Sequence, residues 1–285
     1  MLLALVVAAT LNVAATTSDL RDLVAAVGGD RVTVANLTDP RQDPHAREIH
    51  PRQIALLRAA RLLVRVGLDH EPWLARALRT TGTPAADLDC SKGLTLLGTE
   101  TARLRPDSRP HVHAFGNTHY WLDPENARPI TARIVDALSA LAPDQREVFA
   151  ANRARFLARL DEGLARWTES LRPYRGSRVV VVHDTWLYFA RRFGLTIAAT
   201  VEENPGVPPS PAYLGRLMER MRTTGVRVVI AEPGAPPALL RRLTEGAQAR
   251  VVTLAPSVAS DPEASDYLAL FEVNVRRLTA ALAGR

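Results

Sequence analysis

The sequence is nearly without cysteine and lysine, with one of each, Cys90 and Lys92, in 285 residues. A lone cysteine cannot form an intramolecular disulfide or build a thiolate metal site by itself. Cys90 stands in LDCSKGL at the predicted end of a strand, and we interpret it as a small buried core residue. The net charge of +6 is therefore carried almost wholly by arginines, which are spread along most predicted helices. Because they do not cluster on one face with interleaved aromatics, we predict no nucleic-acid binding.

Beyond its first residues, the sequence also lacks any stretch that approaches the roughly 20 apolar residues of a membrane-spanning helix. The opening MLLALVVAAT is similar to the apolar part of a secretory signal, but the positive charges that normally precede it are missing. We interpret residues 1–16 as an incomplete signal segment that overlaps the first strand. No lipobox cysteine stands at the end of this segment, so we do not expect a lipid anchor.

Short β-branched runs alternate with amphipathic helical patterns in both halves of the chain. The first half has strand-like runs LNVAAT, RVTVANL, RLLVRVG and LTLLG, and the second has RVVVVH, LTIAATV, VRVVIAEPG and VVTLAP. Strands that alternate with helices indicate parallel β/α units. We therefore predict an α/β protein with two β/α lobes that contain parallel sheets, an N-terminal lobe at 11–142 and a C-terminal lobe at 173–285.

One long helix is predicted between the lobes, over residues 143–172. This region has no strand signal, and its apolar residues recur at helical spacing: Phe149, Phe156, Leu160, Leu164, Trp167 and Leu171. The pattern extends over about 28 residues, or roughly 40 Å at the rise of an α-helix. A helix of this length is suited to a rigid connection between two lobes.

Histidines supply the candidate site. None of the seven forms an HExxH pair, so a protease-type zinc site is not indicated. His45, His119 and His183 stand just beyond predicted strands or at predicted helix starts, where α/β proteins gather ligands. Two belong to the first predicted lobe and one to the second, so we expect them to meet between the lobes. A single histidine at a strand end is more often a capping or hydrogen-bonding residue than a ligand.

Three segments with these histidines resemble those of a known family. DPHAREIHPRQIALLRAARLLVRVGLDHEPWL, NTHYWLDPENA and HDTWLYFARRFGL are similar, in this order, to the ligand-bearing segments of zinc- and manganese-binding solute receptors of metal ABC transporters. The resemblance runs nearly end to end, from LNVAATTSDLRDLVAAVGGDRVTV to DYLALFEVNVRRLTAAL.

The resemblance implies that His45, His119 and His183 bind one divalent metal ion. It further implies a binding protein and not an enzyme, which works in the periplasm or elsewhere outside the cytoplasm and delivers the ion to an ABC permease in the membrane. We also expect a monomer.

The fourth ligand stays open. The family often has an aspartate just after the strand that corresponds to VVTLAP, but this chain reads LAPSVAS, with Ala255 and Pro256 at that place. The candidates are a water molecule or one of Glu202, Glu203, Asp261 and Asp266. A site rich in imidazole nitrogens suits tetrahedral zinc, whereas manganese prefers more oxygen, so we predict Zn²⁺ with Mn²⁺ as the alternative.

The other four histidines have simpler interpretations. His111 and His113 are expected in a solvated loop, with an auxiliary metal site as the alternative. His50 and His70 flank predicted helix starts and are interpreted as surface or capping residues.

Two other functions fit parts of the sequence. A zinc hydrolase would also have three histidines and an open fourth position, although no general-base motif is evident. A receptor for a chelated metal, such as haem or a siderophore, would share the two-lobed fold, but its site should be lined with aromatics and arginines.

Overall fold

The computed structural model describes residues 10–40, 50–82, 84, 86–99, 116–203 and 207–284. The chain forms two compact units, one made of residues 1–93 and 127–159 and the other of residues 94–126 and 160–285. Within the described ranges, no helix has both the length and the apolar character needed to cross a membrane.

The first unit contains a parallel sheet in the order β2-β1-β3-β4. Its strands are β1 Leu11–Ala15, β2 Val32–Asn36, β3 Leu62–Arg65 and β4 Ala86–Asp89, and its helices are α1 Ser18–Gly28, α2 Pro51–Ala59, α3 Leu74–Thr81 and α4 Ala127–Leu141. Helix α1 shows how the sequence sets these elements: the Thr17 side chain accepts a hydrogen bond from the Leu20 N–H, and Gly29 with φ +56° follows the last turn. The helix buries Leu23 and Val27 on one face.

A buried carboxylate organises the loop that follows β3. Glu71 Oε1 accepts hydrogen bonds from Thr16 Oγ1 at 2.5 Å and Val66 N–H at 2.7 Å, and Oε2 accepts one from Gly67 N–H at 3.1 Å. Burial raises the pKa of Glu71 to about 7, against the opposing effect of these hydrogen bonds. Residues 67–69 all have positive φ, so the carboxylate fixes a backbone conformation that non-glycine residues rarely adopt.

The second unit has a parallel sheet with a matching order, β6-β5-β7-β8. Its strands are β5 Arg178–Val181, β6 Thr196–Thr200, β7 Val228–Ala231 and β8 Arg250–Thr253. The helices are α6 Leu187–Phe193, α7 Pro211–Thr224, α8 Pro237–Ala247 and α9 Tyr267–Leu282. Two β/α lobes with parallel sheets confirm the predicted fold class.

Helix α5, Arg146–Leu171, joins the two units along the chain, with short 3-10 turns at Pro143–Gln145 and Arg172–Tyr174. Its 26 residues correspond to about 39 Å. The predicted long helix is therefore confirmed. Within the second unit, Trp167 of this helix packs on Phe271 with ring centroids 5.2 Å apart, and its Nε1 donates to Glu272 Oε2 at 2.9 Å.

One predicted strand is wrong. LTLLG, residues 94–98, forms turns and bends, and the fourth strand is Ala86–Asp89 instead. Gly93 and Gly98 bracket the segment with φ of +82° and +74°, which strand geometry does not allow. The Leu97 N–H donates to the Tyr188 hydroxyl at 3.0 Å and not to a neighbouring strand.

The compact units also differ from the continuous ranges 11–142 and 173–285 that the sequence pattern indicated. Residues 94–126, which include His119, belong to the second unit. His119 and His183 therefore lie in the same compact unit.

A pair of glycine substitutions tests the strained loop. Gly67 has φ +80°, and a Cβ there would lie 2.3 Å from Asp89 Oδ1, an oxygen that Ser91 holds by two hydrogen bonds. Gly82 has a similar φ of +75° with nothing within 4 Å. We expect Gly82→Ala to lower the free energy of unfolding by about 1 kcal/mol, and Gly67→Ala by roughly 2–4 kcal/mol because overpacking adds to the backbone strain. Urea unfolding followed by circular dichroism compares the two, and equal losses would contradict the loop geometry.

Candidate metal-binding site

His119 is buried and its ring is oriented by Asn117. Asn117 Oδ1 accepts the His119 backbone N–H at 2.9 Å and lies 3.2 Å from the ring Nδ1. Asn117 Nδ2 donates to the Asp184 carbonyl oxygen at 2.6 Å, which fixes the orientation of the amide. Because Oδ1 is an acceptor, Nδ1 of His119 carries the proton and Nε2 carries the lone pair that a metal ion needs.

Asn117 is itself held by residues of the same unit. The Tyr188 hydroxyl donates to the Asn117 carbonyl oxygen at 2.9 Å. Burial raises the pKa of Tyr188, so this hydroxyl stays protonated as a donor. The histidine and its amide partner are thus supported on a fixed scaffold.

Aromatic residues pack around His119. The Trp121 ring centroid lies 5.2 Å from that of His119, and Trp121 Nε1 donates to the Pro256 carbonyl oxygen at 2.9 Å. The Tyr267 hydroxyl donates to the Trp121 carbonyl oxygen at 2.6 Å. Pro256 belongs to the LAPSVAS loop, so the place where an aspartate ligand was sought instead supports the aromatic wall of the site.

His183 follows β5, and its ring stands edge-on to that of His119 with 6.2 Å between the centroids. An imidazole bound through one nitrogen at the usual zinc distance places its centroid roughly 3.2 Å from the ion. Two rings that bind one tetrahedral ion would have centroids roughly 5.2 Å apart. The observed separation is about 1 Å longer, so the two rings are close neighbours that a shift of about 1 Å would bring to a shared ion.

Two carboxylates stand beside His183 at the carboxyl ends of neighbouring strands. Glu202, which follows β6, places Oε2 3.0 Å from His183 Nδ1. Glu232, which follows β7, accepts a hydrogen bond from Trp186 Nε1 at 2.6 Å. Burial raises the pKa of Glu232 to about 7, while the charge of His183 and the Trp186 hydrogen bond act in the opposite direction.

The sequence analysis missed Glu232. The sequence does contain a sign of this residue, because Glu232 lies in AEPG, directly after the predicted strand VRVVI. Ligands of α/β sheets gather at strand ends. A glutamate after a strand is common, however, and only the fold shows that this one lies beside the strand that ends before His183.

The other carboxylates considered as fourth ligands have structural roles or are exposed. Asp261 forms an ion pair with Arg277 at 2.6 Å, and the hydrogen bond from Arg277 lowers the pKa of Asp261. Asp266 caps α9 by accepting the Leu268 and Ala269 N–H groups at 2.9 Å. Glu203 is exposed. Among the described residues, Glu202 is the one of the four with a hydrogen-bond contact to a candidate ligand.

The remaining histidines divide into three cases. His45, His111 and His113 lie outside the described residues. His50 is exposed and is the N-cap residue of α2, which confirms its interpretation. The surface interpretation of His70 is wrong, because this side chain is fully buried in the first unit next to Glu71.

Where the structure describes the chain, no three histidine, cysteine, aspartate or glutamate side chains stand close enough together to hold a metal ion. The described part brings together two of the three predicted ligands, His119 and His183. His45 stays a prediction, and the two candidate ligands that the described residues supply are imidazoles, a ligand type common in zinc sites.

Comparison with known proteins gives the family. A family model described as "Zinc-uptake complex component A periplasmic" matches residues 13–281. The chain belongs to this family. Membership confirms the resemblance to metal-binding solute receptors and makes the protein a binding component and not an enzyme.

Curated relatives agree with this assignment. The chain is 29% identical to the high-affinity zinc uptake system protein ZnuA of Paracoccus denitrificans over 276 residues, which cover 85% of the chain and 80% of the relative. It is 26% identical to the zinc-binding lipoprotein AdcA of Streptococcus pneumoniae, covering 94% of the chain and 55% of that longer relative.

Solved structures show the same fold. A crystal structure of ZnuA superposes with a TM-score of 0.82 at 25% identity, covering 95% of the chain and 99% of the other. FpvC of Pseudomonas aeruginosa in complex with Mn²⁺ also gives a TM-score of 0.82, at 21% identity, with 96% and 99% covered. At that identity, the likeness to FpvC concerns the fold alone.

The Trp186 hydrogen bond gives a prediction for the metal-free protein. Glu232 should titrate at about 7, and Trp186→Phe should raise its pKa by about one pH unit because the variant loses a donor to the ionised carboxylate. The measurement is an NMR titration of ¹³C-labelled glutamate side chains. Trp121→Phe, which removes an indole donor to a different acceptor, is the control. An unchanged pKa in Trp186→Phe would contradict the contact.

Proposed function

We propose that this protein captures a zinc ion outside the cytoplasm through His45, His119 and His183 and delivers it to an ABC permease. The observation that carries the proposal is the pairing of His119 and His183, whose rings lie 6.2 Å apart. Each ring has Nδ1 against an oxygen, Asn117 Oδ1 for His119 and Glu202 Oε2 for His183. This arrangement leaves Nε2 of both rings as the metal-binding atom.

The donor chemistry favours zinc over manganese. Imidazole nitrogens bind zinc more strongly than manganese, which prefers carboxylate and water oxygens. The names of the relatives point the same way, since ZnuA and AdcA are both described as zinc proteins. In LAPSVAS, Ala255 and Pro256 offer no side-chain oxygen to shift this balance. Three histidines leave the fourth tetrahedral position to a water molecule or a carboxylate.

Capture and release need no covalent chemistry. The protein would exchange hydrating water for imidazole nitrogens and give the ion up at the permease as a monomeric carrier. The hydrolase and chelated-metal alternatives gain no support from the family match, which covers residues 13–281.

Zinc stoichiometry and affinity test the proposal. We expect one zinc ion per chain in the wild type, and an affinity loss of at least about 100-fold in each of His45→Ala, His119→Ala and His183→Ala, because each removes one of very few ligands. Competition titrations against a chelator, with elemental analysis of the loaded protein, measure both. His50→Ala, an exposed capping histidine, is the matched control and should bind as the wild type does.

Two outcomes would reject parts of the proposal. Unchanged zinc affinity in His119→Ala and His183→Ala would show that these histidines do not form the site. Tighter binding of manganese than of zinc would overturn the choice of ion.

The pH dependence of binding follows from the same ligands. Each imidazole must be neutral to bind a metal ion, so zinc affinity should fall steeply as the pH drops below about 6.5. Repeating the competition titration between pH 8 and pH 5 checks this, and a flat profile would contradict histidine ligation.

A further inference from the structure

We propose that Glu202 is a positioning residue of the metal site: it accepts the Nδ1–H of His183 and presents Nε2 of that ring to the ion, without binding the ion itself. This inference rests on the proposed function, and it assigns a role to one of the four carboxylates left open as a fourth ligand. The contact that carries it is the 3.0 Å separation between His183 Nδ1 and Glu202 Oε2.

Strand pairing fixes this contact. The Val201 N–H donates to the Val181 carbonyl at 2.8 Å, and the Glu202 N–H donates to the Val182 carbonyl at 3.1 Å. The ladder of β5 and β6 therefore continues past the ends of both strands, up to the residue before His183. Glu202 and His183 are placed by backbone hydrogen bonds and not by a loose loop.

Partial burial strengthens the interaction. The side chains of His183 and Glu202 are 24% and 19% exposed, so water competes only weakly for their polar atoms. A neutral imidazole has one N–H and one lone pair, and a carboxylate accepts but does not donate. The pair therefore favours the tautomer with the proton on Nδ1, and the negative partner makes Nε2 a stronger donor to a metal ion.

The two histidines of the described site are held by different partners. The Nδ1 of His119 faces the neutral amide of Asn117, whereas the Nδ1 of His183 faces a carboxylate. Of these two partners, only the Glu202 carboxylate carries a charge. We therefore infer that His183 is the stronger electron donor of the pair, and that Glu202 contributes to affinity through this histidine.

The neighbouring carboxylate, Glu232, has a different hydrogen-bond partner. Glu232 accepts a hydrogen bond from Trp186 Nε1 at 2.6 Å. Glu202 is thus the carboxylate that contacts the His183 ring, while Glu232 accepts from the indole of Trp186, the residue just before α6.

NMR of the zinc-loaded protein tests the tautomer directly. In a long-range ¹H–¹⁵N spectrum of protein labelled at its histidines, we expect the His183 Nδ1 to be protonated and its Nε2 to be metal-bound. A metal-bound Nδ1 would overturn the proposal, because Glu202 Oε2 would then lie beside the ion as a ligand.

Substitutions of Glu202 give an independent readout. Glu202→Ala should weaken zinc binding by about 10–100-fold, as is typical for the outer partner of a metal-bound histidine. Glu202→Gln should recover part of this loss, because its amide oxygen still accepts the Nδ1–H. Glu203→Ala, at the exposed neighbouring position, is the control and should bind as the wild type does.

The visible spectrum of the cobalt-substituted protein separates a positioning residue from a ligand. With a positioning role, Glu202→Gln keeps the band positions of the wild type, because the ligand set is unchanged. A changed spectrum in Glu202→Gln, or unchanged zinc affinity in Glu202→Ala, would overturn the proposal.

These results are distinguishable from failure of the proposed function. A wild type that binds no zinc, or His183→Ala with full affinity, would reject the metal site and the role of Glu202 with it. Zinc binding that depends on His183 but not on Glu202 would reject the positioning role alone.

Discussion

The candidate site depends on the hydrogen bonds of the Asn117 side-chain amide. This amide accepts from the His119 backbone and faces the His119 ring with one atom, and it donates to the Asp184 carbonyl with the other. Because Asp184 is next to His183, one side chain ties together two segments that are distant along the chain. The pairing of the two imidazoles is therefore supported by a short hydrogen-bond network around the buried Asn117 side chain.

In each unit, a glutamate with a raised pKa follows the third strand of the sheet, six residues after β3 in the first unit and directly after β7 in the second. The two sheets share one strand order, and Glu71 after β3 and Glu232 after β7 both have pKa values that burial raises to about 7. Their surroundings differ, however. Glu71 accepts hydrogen bonds from Thr16 and the backbone and fixes a strained loop, whereas Glu232 faces the indole of Trp186 beside a candidate ligand. A glutamate after the corresponding strand thus fixes backbone structure in the first unit and lies beside the candidate site in the second.

Much of this architecture was predictable because strand and helix periods are local properties of a sequence. The strand–helix alternation and the apolar stripe from Phe149 to Leu171 gave the fold class and the long helix. The strand prediction for LTLLG was wrong because Gly93 and Gly98, at the two ends of this apolar run, have positive φ. The grouping of His119 with His183, the burial of His70 and the position of Glu232 depend on contacts between distant segments, which no local pattern contains.

The most direct test of the central claim is the location of the ion itself. Anomalous diffraction at the zinc absorption edge, from crystals of the zinc-loaded protein, places the metal without reference to any assumed ligand. We predict a single strong peak about 2.0–2.1 Å from Nε2 of both His119 and His183. A peak that contacts neither ring, or that lies on their Nδ1 atoms, would contradict it.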